Sequence, residues 1–196
     1  MIVILDYGLG NVKSISNMLN RMGIDNIISS EVAVIDDADK YILPGVGSFD
    51  EAMRRINNSN WIKSLEFNIL ELKKPILGIC LGMQLLAKGS EEGESQGLSW
   101  VDANFIRFDK DILTPHMGWN IVKSKNVGLF KNLNMARFYF VHSFYLEAEN
   151  SCTIATSDYN EPFSCAIKYK NIYGVQFHPE KSHRFGMQLL KNFSSL

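Results

Sequence analysis

A cysteine between two glycines is the first residue in this chain whose setting predicts chemistry. Ile76–Ile79 is a short apolar run typical of a buried strand, and Leu81–Lys88 has the composition of a helix. Cys80 therefore lies at a strand-to-helix turn. Gly78 and Gly82 permit the close approach of strand and helix that such a turn needs, so the pattern is the thiol counterpart of the G-x-S-x-G nucleophile elbow.

The predicted position of Cys80 also favours its reactive form. The first N–H groups of a helix have no partner within the helix, and the helix dipole is positive at that end, so both stabilise a thiolate. Cysteines are also common packing residues, which is what we expect of Cys152 and Cys165 in their strand-like runs. A nucleophile at Cys80 therefore requires a base and an oxyanion site elsewhere.

His178 is the candidate base. Ile172–Phe177 predicts a strand, His178 follows it directly, and Pro179 prevents the strand from continuing. In an extended segment residues i and i+2 point to the same side, so Glu180 can accept the imidazole N–H and select the tautomer of a base. Cys80, His178 and Glu180 thus form a candidate set of nucleophile, base and orienting carboxylate.

Two loops rich in glycine follow other predicted strands. Pro44–Ser48 comes after Tyr41–Leu43, and its glycines allow backbone N–H groups to approach a ligand, which predicts an oxyanion loop; a plain turn is the alternative. After the strand Ile2–Leu5, Gly8 and Gly10 are spaced as in dinucleotide-binding loops. The third glycine of that pattern is missing, which argues against dinucleotide binding.

The elements that must position these residues alternate between strand and helix in the first half of the chain. This alternation predicts a parallel sheet, and the later run of strands predicts an antiparallel addition to it. The expected fold is therefore α/β, with a mostly parallel central sheet flanked by helices and an added antiparallel β region. Loops that follow parallel strands leave at one edge of the sheet, where sites of such folds lie. The predicted helices are Asn11–Met22, Asp50–Ile56, Trp61–Leu72 and Ser182–Phe193.

Length and composition limit the number of domains, the kinds of partner and the cellular compartment that we expect. We expect the 196 residues to form one domain, 1–196. The net charge of −1 favours neither nucleic acid nor membrane as a partner, and no apolar run reaches the length of a membrane span. Three cysteines without C-x-x-C spacing, and an N-terminus without a basic leader, indicate a cytoplasmic protein without a disulfide framework. The residues by themselves therefore predict an acyl-transferring cysteine hydrolase and leave its substrate open.

Three motifs together resemble the signatures of the class I (triad) glutamine amidotransferases, in the order and spacing of that family. They are Pro44–Gly47, Gly78–Gln84 and Phe177–Glu180. A narrower resemblance, to the glutaminase subunits of imidazole glycerol phosphate synthase, is carried by Asp6–Asn11, Pro115–Asn120, Tyr139–Ser143 and His178–Ser182. The resemblance implies hydrolysis of L-glutamine through a thioester on Cys80 and transfer of ammonia to a (β/α)8-barrel synthase in a heterodimer.

The same resemblance implies roles for further residues. It implies oxyanion N–H groups at Val46 or Gly47 and at Leu81, and partner contacts at Trp119 and Lys181. It implies no cofactor and no metal. The positions that it matches to glutamine binding are Gly45, Gln84, Glu92, Ser143 and Phe144.

Alternative functions stay open at this point. A related glutaminase could supply ammonia to a synthase that amidates sugars for surface polysaccharides, and a catalytically idle subunit could regulate a partner. A peptidase-like hydrolase on the same elbow is the third alternative. His116 and His142 receive no chemical role from the sequence.

Overall fold

The computed structural model describes residues 1–196 and contains thirteen strands and six α-helices. The strands are β1 (Ile2–Leu5), β2 (Asn26–Ser29), β3 (Lys40–Gly45), β4 (Ile76–Cys80), β5 (Gly89–Ser90), β6 (Asn104–Arg107), β7 (His116–Ile121), β8 (Lys123–Ser124), β9 (Arg137–His142), β10 (Phe144–Glu147), β11 (Thr153–Tyr159), β12 (Glu161–Tyr169) and β13 (Ile172–Val175). The helices are α1 (Val12–Arg21), α2 (Val32–Asp36), α3 (Phe49–Asn57), α4 (Ile62–Glu66), α5 (Leu81–Leu85) and α6 (His183–Ser194).

The central sheet has the predicted mixed character. Strands β2, β1, β3, β4 and β13 are neighbours in that order and run parallel, whereas β12 pairs antiparallel with β13, β10 and β11. Strands β7 and β9 form a separate antiparallel pair. The α/β prediction with an antiparallel addition is therefore confirmed. None of the six helices combines the length and apolar character needed to cross a membrane.

Apolar side chains bury both faces of the parallel strands. Val3 and Leu5 of β1 pack with residues of α2, α3, α4 and α5, while Ile2 and Ile4 pack on the opposite face with α1 and α6. Successive side chains of a strand point to opposite faces, so a strand covered on both sides is apolar throughout. This is why the first strand reads as a continuous hydrophobic run.

Several predicted elements differ from the structure in extent. The helix after Cys80 ends at Leu85, and the predicted helix Trp61–Leu72 divides into α4 and a π-helical turn, Phe67–Glu71. Between residues 98 and 108 the structure contains one strand, β6. Trp100 and Val101 lie in the core without joining a strand, so their apolar character reflects burial and not strand pairing.

Strand register brings the candidate loops to one edge of the sheet. Gly45, at the end of β3, is the direct neighbour of Cys80 at the end of β4. On the other side of β4, Ile79 pairs with Val175 of β13, three residues before His178. The candidate oxyanion loop and the candidate base therefore leave the sheet on either side of Cys80, because their strands run parallel.

Candidate functional site

The elbow at Cys80 depends on both of its glycines. Cys80 has φ of 56° and ψ of −113°, a left-handed conformation that costs roughly 1–3 kcal/mol for a residue with a side chain. A Cβ on Gly82 would lie 1.9 Å from the carbonyl oxygen of Leu43, and a Cβ on Gly78 would lie 2.6 Å from the carbonyl oxygen of Gly82. Strand and helix can approach this closely only because both residues lack side chains.

His178 and Glu180 form a buried pair behind the nucleophile. Nδ1 of His178 lies 2.8 Å from Oε1 of Glu180, and both side chains are 2% exposed or less. Asn11 donates to the same oxygen at 3.1 Å. The predicted contact is present, but the extended geometry from which it was predicted is wrong: Pro179–Lys181 forms a 3-10 turn, and the carboxylate reaches the ring across that turn.

The two members of this pair shift each other's pKa in opposite directions. Burial lowers the pKa of His178, but the proximity of Cys80 and the hydrogen bond and negative charge of Glu180 outweigh burial and raise that pKa well above its usual range. Burial raises the pKa of Glu180, but His178 and the Asn11 amide outweigh it, and the net shift is downward. An imidazolium beside a carboxylate is therefore the favoured state at neutral pH.

Sγ of Cys80 lies at the floor of a cavity of about 290 Å³. Its hydrogen-bonding neighbours are the carbonyl oxygen of Val141 and Nε2 of Gln176, both at 3.7 Å. Nε2 of His178 is buried in the same region and makes no hydrogen bond of regular geometry. The lining residues are Val46, Gly47, Cys80, Leu81, Gln84, Glu92, Pro115, Val141, His142, Ser143, Phe144 and His178.

Most residues predicted for the site therefore border one cavity, and two do not. Gly45 is buried beneath it, where a Cβ would lie 2.7 Å from the backbone nitrogen of Gly82. Glu180 lies behind His178 and reaches the cavity only through the imidazole. The catalytic, oxyanion and substrate-binding roles of these residues stay predictions.

Unpaired hydrogen-bonding groups border this cavity. The N–H groups of Val46 and Gly47 donate to no backbone acceptor in the chain, and Gly47 has φ of 100° in an exposed loop. Oε1 of Gln84 is buried without a partner, while its Nε2 donates to Gln176 at 3.1 Å. Buried polar atoms are normally paired, so the free Oε1 of Gln84 indicates a polar ligand.

Glu92 supplies the acidic group on the rim of the cavity. Burial raises the pKa of Glu92, the charge of Asp50 raises it further, and the N–H of Phe49 opposes the shift. A bound cation would relieve this cost of burying a carboxylate. The α-ammonium group of an amino acid is such a cation.

Three residues of the cavity wall had no role in the sequence prediction: Pro115, Val141 and His142. The signal that could have found His142 was its place beside Ser143 in the motif Tyr139–Ser143. Its partner is His116, whose Nδ1 lies 3.0 Å from Nε2 of His142. Only the pairing of β7 with β9, which sets His116 opposite His142, reveals this contact.

The residues predicted to contact a partner lie outside the cavity, on one exposed face beside it. Trp119 is 47% exposed and pairs across the strands with Tyr139, and Nζ of Lys181 lies 5.6 Å from the centre of the Tyr139 ring. The N–H of His178 donates to the carbonyl oxygen of Tyr139 at 2.9 Å. Tyr139 therefore connects this face to the backbone of the candidate base, His178.

The glycine loop after β1 is filled by protein groups. Arg55 donates to the carbonyl oxygen of Gly8 at 3.0 Å, and its guanidinium occupies the space beside Gly8. Gly10 packs against Pro44, and the hydroxyl of Tyr7 donates to the carbonyl oxygen of Pro44 at 2.6 Å. This loop supports the candidate oxyanion loop, Pro44–Ser48, and leaves no phosphate cradle.

Comparison with known proteins agrees with this geometry. The family model "Glutamine amidotransferase class-I" matches residues 3–195. The chain is 48% identical to the imidazole glycerol phosphate synthase subunit HisH of Bdellovibrio bacteriovorus over 100% of both chains. It is 48% identical to the corresponding subunit HisH 2 of Methanococcus maripaludis over 98% of both, and 44% identical to that of Pseudomonas aeruginosa over 100% of both.

The fold of this chain also resembles those of solved structures. A crystal structure of a glutamine amidotransferase matches with a TM-score of 0.78 at 15% identity, covering 100% of both chains. The structure of PurLQS from Thermotoga maritima matches with a TM-score of 0.73 at 16% identity, covering 99% of this chain and 97% of that one. The family match over nearly all residues, together with relatives of 40–48% identity, shows that this chain belongs to the class-I glutamine amidotransferases.

Proposed function

We propose that this chain is the glutaminase subunit of an imidazole glycerol phosphate synthase and acts in histidine biosynthesis. It hydrolyses L-glutamine to glutamate and ammonia with Cys80 as nucleophile. The observation that carries the proposal is that Cys80 and His178 line one cavity with free main-chain donors, while Glu180 contacts His178 from behind, in a chain 44–48% identical to three such subunits over nearly its full length.

The first half of the reaction forms the thioester. The thiolate of Cys80 attacks the side-chain carbonyl carbon of glutamine, and the carbonyl electrons move to oxygen. The N–H groups of Val46 or Gly47 and of Leu81 stabilise that oxyanion, each by about 3 kcal/mol in comparable sites. When the carbonyl re-forms, the carbon–nitrogen bond breaks, and the imidazolium of His178 gives its proton to the departing nitrogen, which leaves as ammonia.

The second half releases glutamate. A water molecule attacks the thioester while Nε2 of His178, now neutral, takes the water proton. The carbon–sulfur bond breaks, the carboxyl group of glutamate forms, and the sulfur leaves as thiolate beside the reformed imidazolium. Glu180 keeps the proton on Nδ1, so that Nε2 is the nitrogen that exchanges protons in both halves.

The head group of glutamine is bound by opposite charges on the cavity wall. We assign the α-ammonium group to Glu92 and Gln84, whose Oε1 lacks a partner within the chain. The α-carboxylate is bound by Ser143 and Phe144. Gly45 supports the loop from below rather than touching substrate.

The partner is a (β/α)8-barrel synthase that receives ammonia directly. An apolar row on β7, formed by Met117, Trp119 and Ile121, is exposed beside His178, and exposed aromatic side chains are typical of protein interfaces. Trp119 and Lys181 contact the synthase in this heterodimer. Residues 1–196 are one cytoplasmic domain that binds neither nucleic acid nor membrane and needs no cofactor or metal.

The test compares glutaminase rates of the wild-type chain and the variant Cys80→Ser, alone and with the barrel subunit of imidazole glycerol phosphate synthase. We expect the rate to rise with the barrel and its ligand, and to vanish in the variant. Full activity of Cys80→Ser would refute the nucleophile, and a rate that is indifferent to the barrel would refute the partner. A sugar-amidating synthase that activates the chain in its place would support the alternative acceptor.

A further inference from the structure

The buried pair of His116 and His142 has no part in the chemistry proposed above. His142 lines the same cavity as Cys80, and His116 contacts it from behind with 4% of its own surface exposed. Burying an imidazole costs free energy unless its nitrogens are hydrogen-bonded. The hydrogen-bond partners of this pair therefore indicate its role.

The proton positions in the pair follow from its partners. Nδ1 of His142 lies 2.8 Å from the carbonyl oxygen of Phe144, which can only accept, so Nδ1 carries the proton. Burial favours the neutral ring, so Nε2 of His142 is an acceptor. His116 must therefore donate to it through its own Nδ1, at 3.0 Å.

The bond from His142 to Phe144 spans Ser143 and closes a turn at the cavity wall. The N–H of Phe108 donates to the carbonyl oxygen of Ser143 at 3.2 Å, so the turn is also held from outside. The carbonyl oxygens of Ser143 and Phe144 thus both accept hydrogen bonds. The N–H of Ser143, in contrast, donates to no backbone acceptor in the chain. Ser143 lines the cavity, where this donor is available to an anion.

Aromatic packing fixes the ring of His116 in place. The ring is stacked between Phe140, with centroids 4.9 Å apart, and Tyr159, with centroids 4.1 Å apart. Its Nε2 lies 3.4 Å from the side-chain amide of Asn120. Because the ring cannot move freely, its donor defines where His142 must lie.

We infer that His116 is a positioning residue for the α-carboxylate of glutamine: acting through His142, it holds the turn at Ser143 in the conformation that leaves the Ser143 N–H free for the carboxylate. The inference rests on the proposed function, which supplies glutamine as the substrate. It assigns His116 an effect on substrate affinity and none on the chemical step.

The experiment compares His116→Asn with His116→Gln in the complex with the barrel subunit. The amide nitrogen of Asn can take the position of Nδ1, whereas that of Gln lies further out, near the position of Nε2. We expect His116→Gln to raise KM for glutamine about tenfold, the loss of one buried hydrogen bond, with kcat within about twofold of wild type. His116→Asn should retain a KM within about twofold. Equal KM in both variants, or a fall in kcat at constant KM, would overturn the inference.

A second readout separates positioning from general structural damage. Cys80 is alkylated in parallel with iodoacetamide, which has no amino-acid head group, and with a glutamine-shaped diazoketone. His116→Gln should slow only the second reagent, again by about tenfold. Equal slowing of both would contradict the inference. Failure of the diazoketone to label Cys80 in the wild-type chain would instead refute the proposed function, and the inference with it.

The wild-type chain provides a test that needs no variant. Imidazole ¹⁵N chemical shifts identify which ring nitrogen carries the proton. We expect both His116 and His142 to be neutral and protonated on Nδ1. A proton on Nε2 of His142 would reverse the bond from His116 and overturn the inference.

Discussion

Two buried histidines, His178 and His142, line the same cavity; His178 is paired with Glu180 and His142 with His116, and the two environments push the imidazole pKa values in opposite directions. The carboxylate of Glu180 lies 2.8 Å from His178, and together with Cys80 it raises the pKa of that imidazole despite burial. His116 faces another imidazole at 3.0 Å, and burial lowers its pKa to about 4. The same side chain thus becomes a charged proton donor in one place and a neutral hydrogen-bonding support in the other.

The difference arises because burial lowers the pKa of every imidazole in the two pairs, whereas only His178 has a carboxylate beside it. Burial lowers the pKa of His142 to about 3; its bond to the carbonyl of Phe144 opposes this, and positive charge on His116 or His178 adds to it. The positive charge of His178 therefore helps to keep His142 neutral.

We expect the largest effect from replacing His178, the charged histidine of this comparison. His178→Asn removes the group proposed to move protons in both halves of the reaction, and we expect kcat/KM for glutamine to fall by at least about 10³-fold in the complex. Steady-state ammonia release measures it. His183→Asn, a change at an exposed histidine, is the control. A loss below tenfold in His178→Asn would contradict the assigned base.

Replacing the carboxylate tests what makes the two pairs different. Glu180→Gln allows an amide N–H to face Nδ1 of His178, which places the imidazole proton on Nε2 and removes the base. We expect kcat to fall by about 10²- to 10⁴-fold and the pKa of His178 to drop. Asn11→Ala, which removes one hydrogen bond and keeps the carboxylate, is the matched control and should lose much less. Equal losses in both variants would argue against the charge of Glu180 as the cause.

The neutral pair predicts a loss of stability in acid. The pKa of His116 is about 4 in the folded chain and about 6.5 when unfolded, so below pH 6.5 the unfolded chain binds more protons and stability falls as pH falls. Between pH 7 and pH 5 this contributes a loss of about 2 kcal/mol. Urea unfolding at both pH values should show a smaller loss in His116→Asn. The same loss in both proteins would mean that His116 titrates normally.

The fourth histidine should give the smallest effect. His183 is exposed, stacks on Trp119 at 5.5 Å and has φ of 46°. Asn tolerates this backbone conformation, so we expect His183→Asn to change the free energy of unfolding by less than about 0.5 kcal/mol. Thermal or urea unfolding of the isolated chain measures it. A loss above about 1 kcal/mol would show that the stack on Trp119 stabilises the fold.

Much of the site could be predicted from the sequence because its parts are local. The glycines around Cys80 meet a steric demand of the turn itself, and the apolar runs before Pro44 and Cys80 reveal strands buried on both faces. Parallel strands then place their loops at one edge of the sheet. Such features depend on backbone sterics and on the period of the hydrophobic pattern, which are present in a few neighbouring residues.

Only the tertiary structure showed which groups surround each histidine. His116 and His142 are 26 residues apart and meet because β7 pairs with β9 in one register, a contact that depends on the packing of both strands. Glu180 reaches His178 through a 3-10 turn that the sequence did not predict. The pKa of an imidazole depends on burial and on charges brought near it from distant segments, so the sequence could name the four histidines but not their charge states.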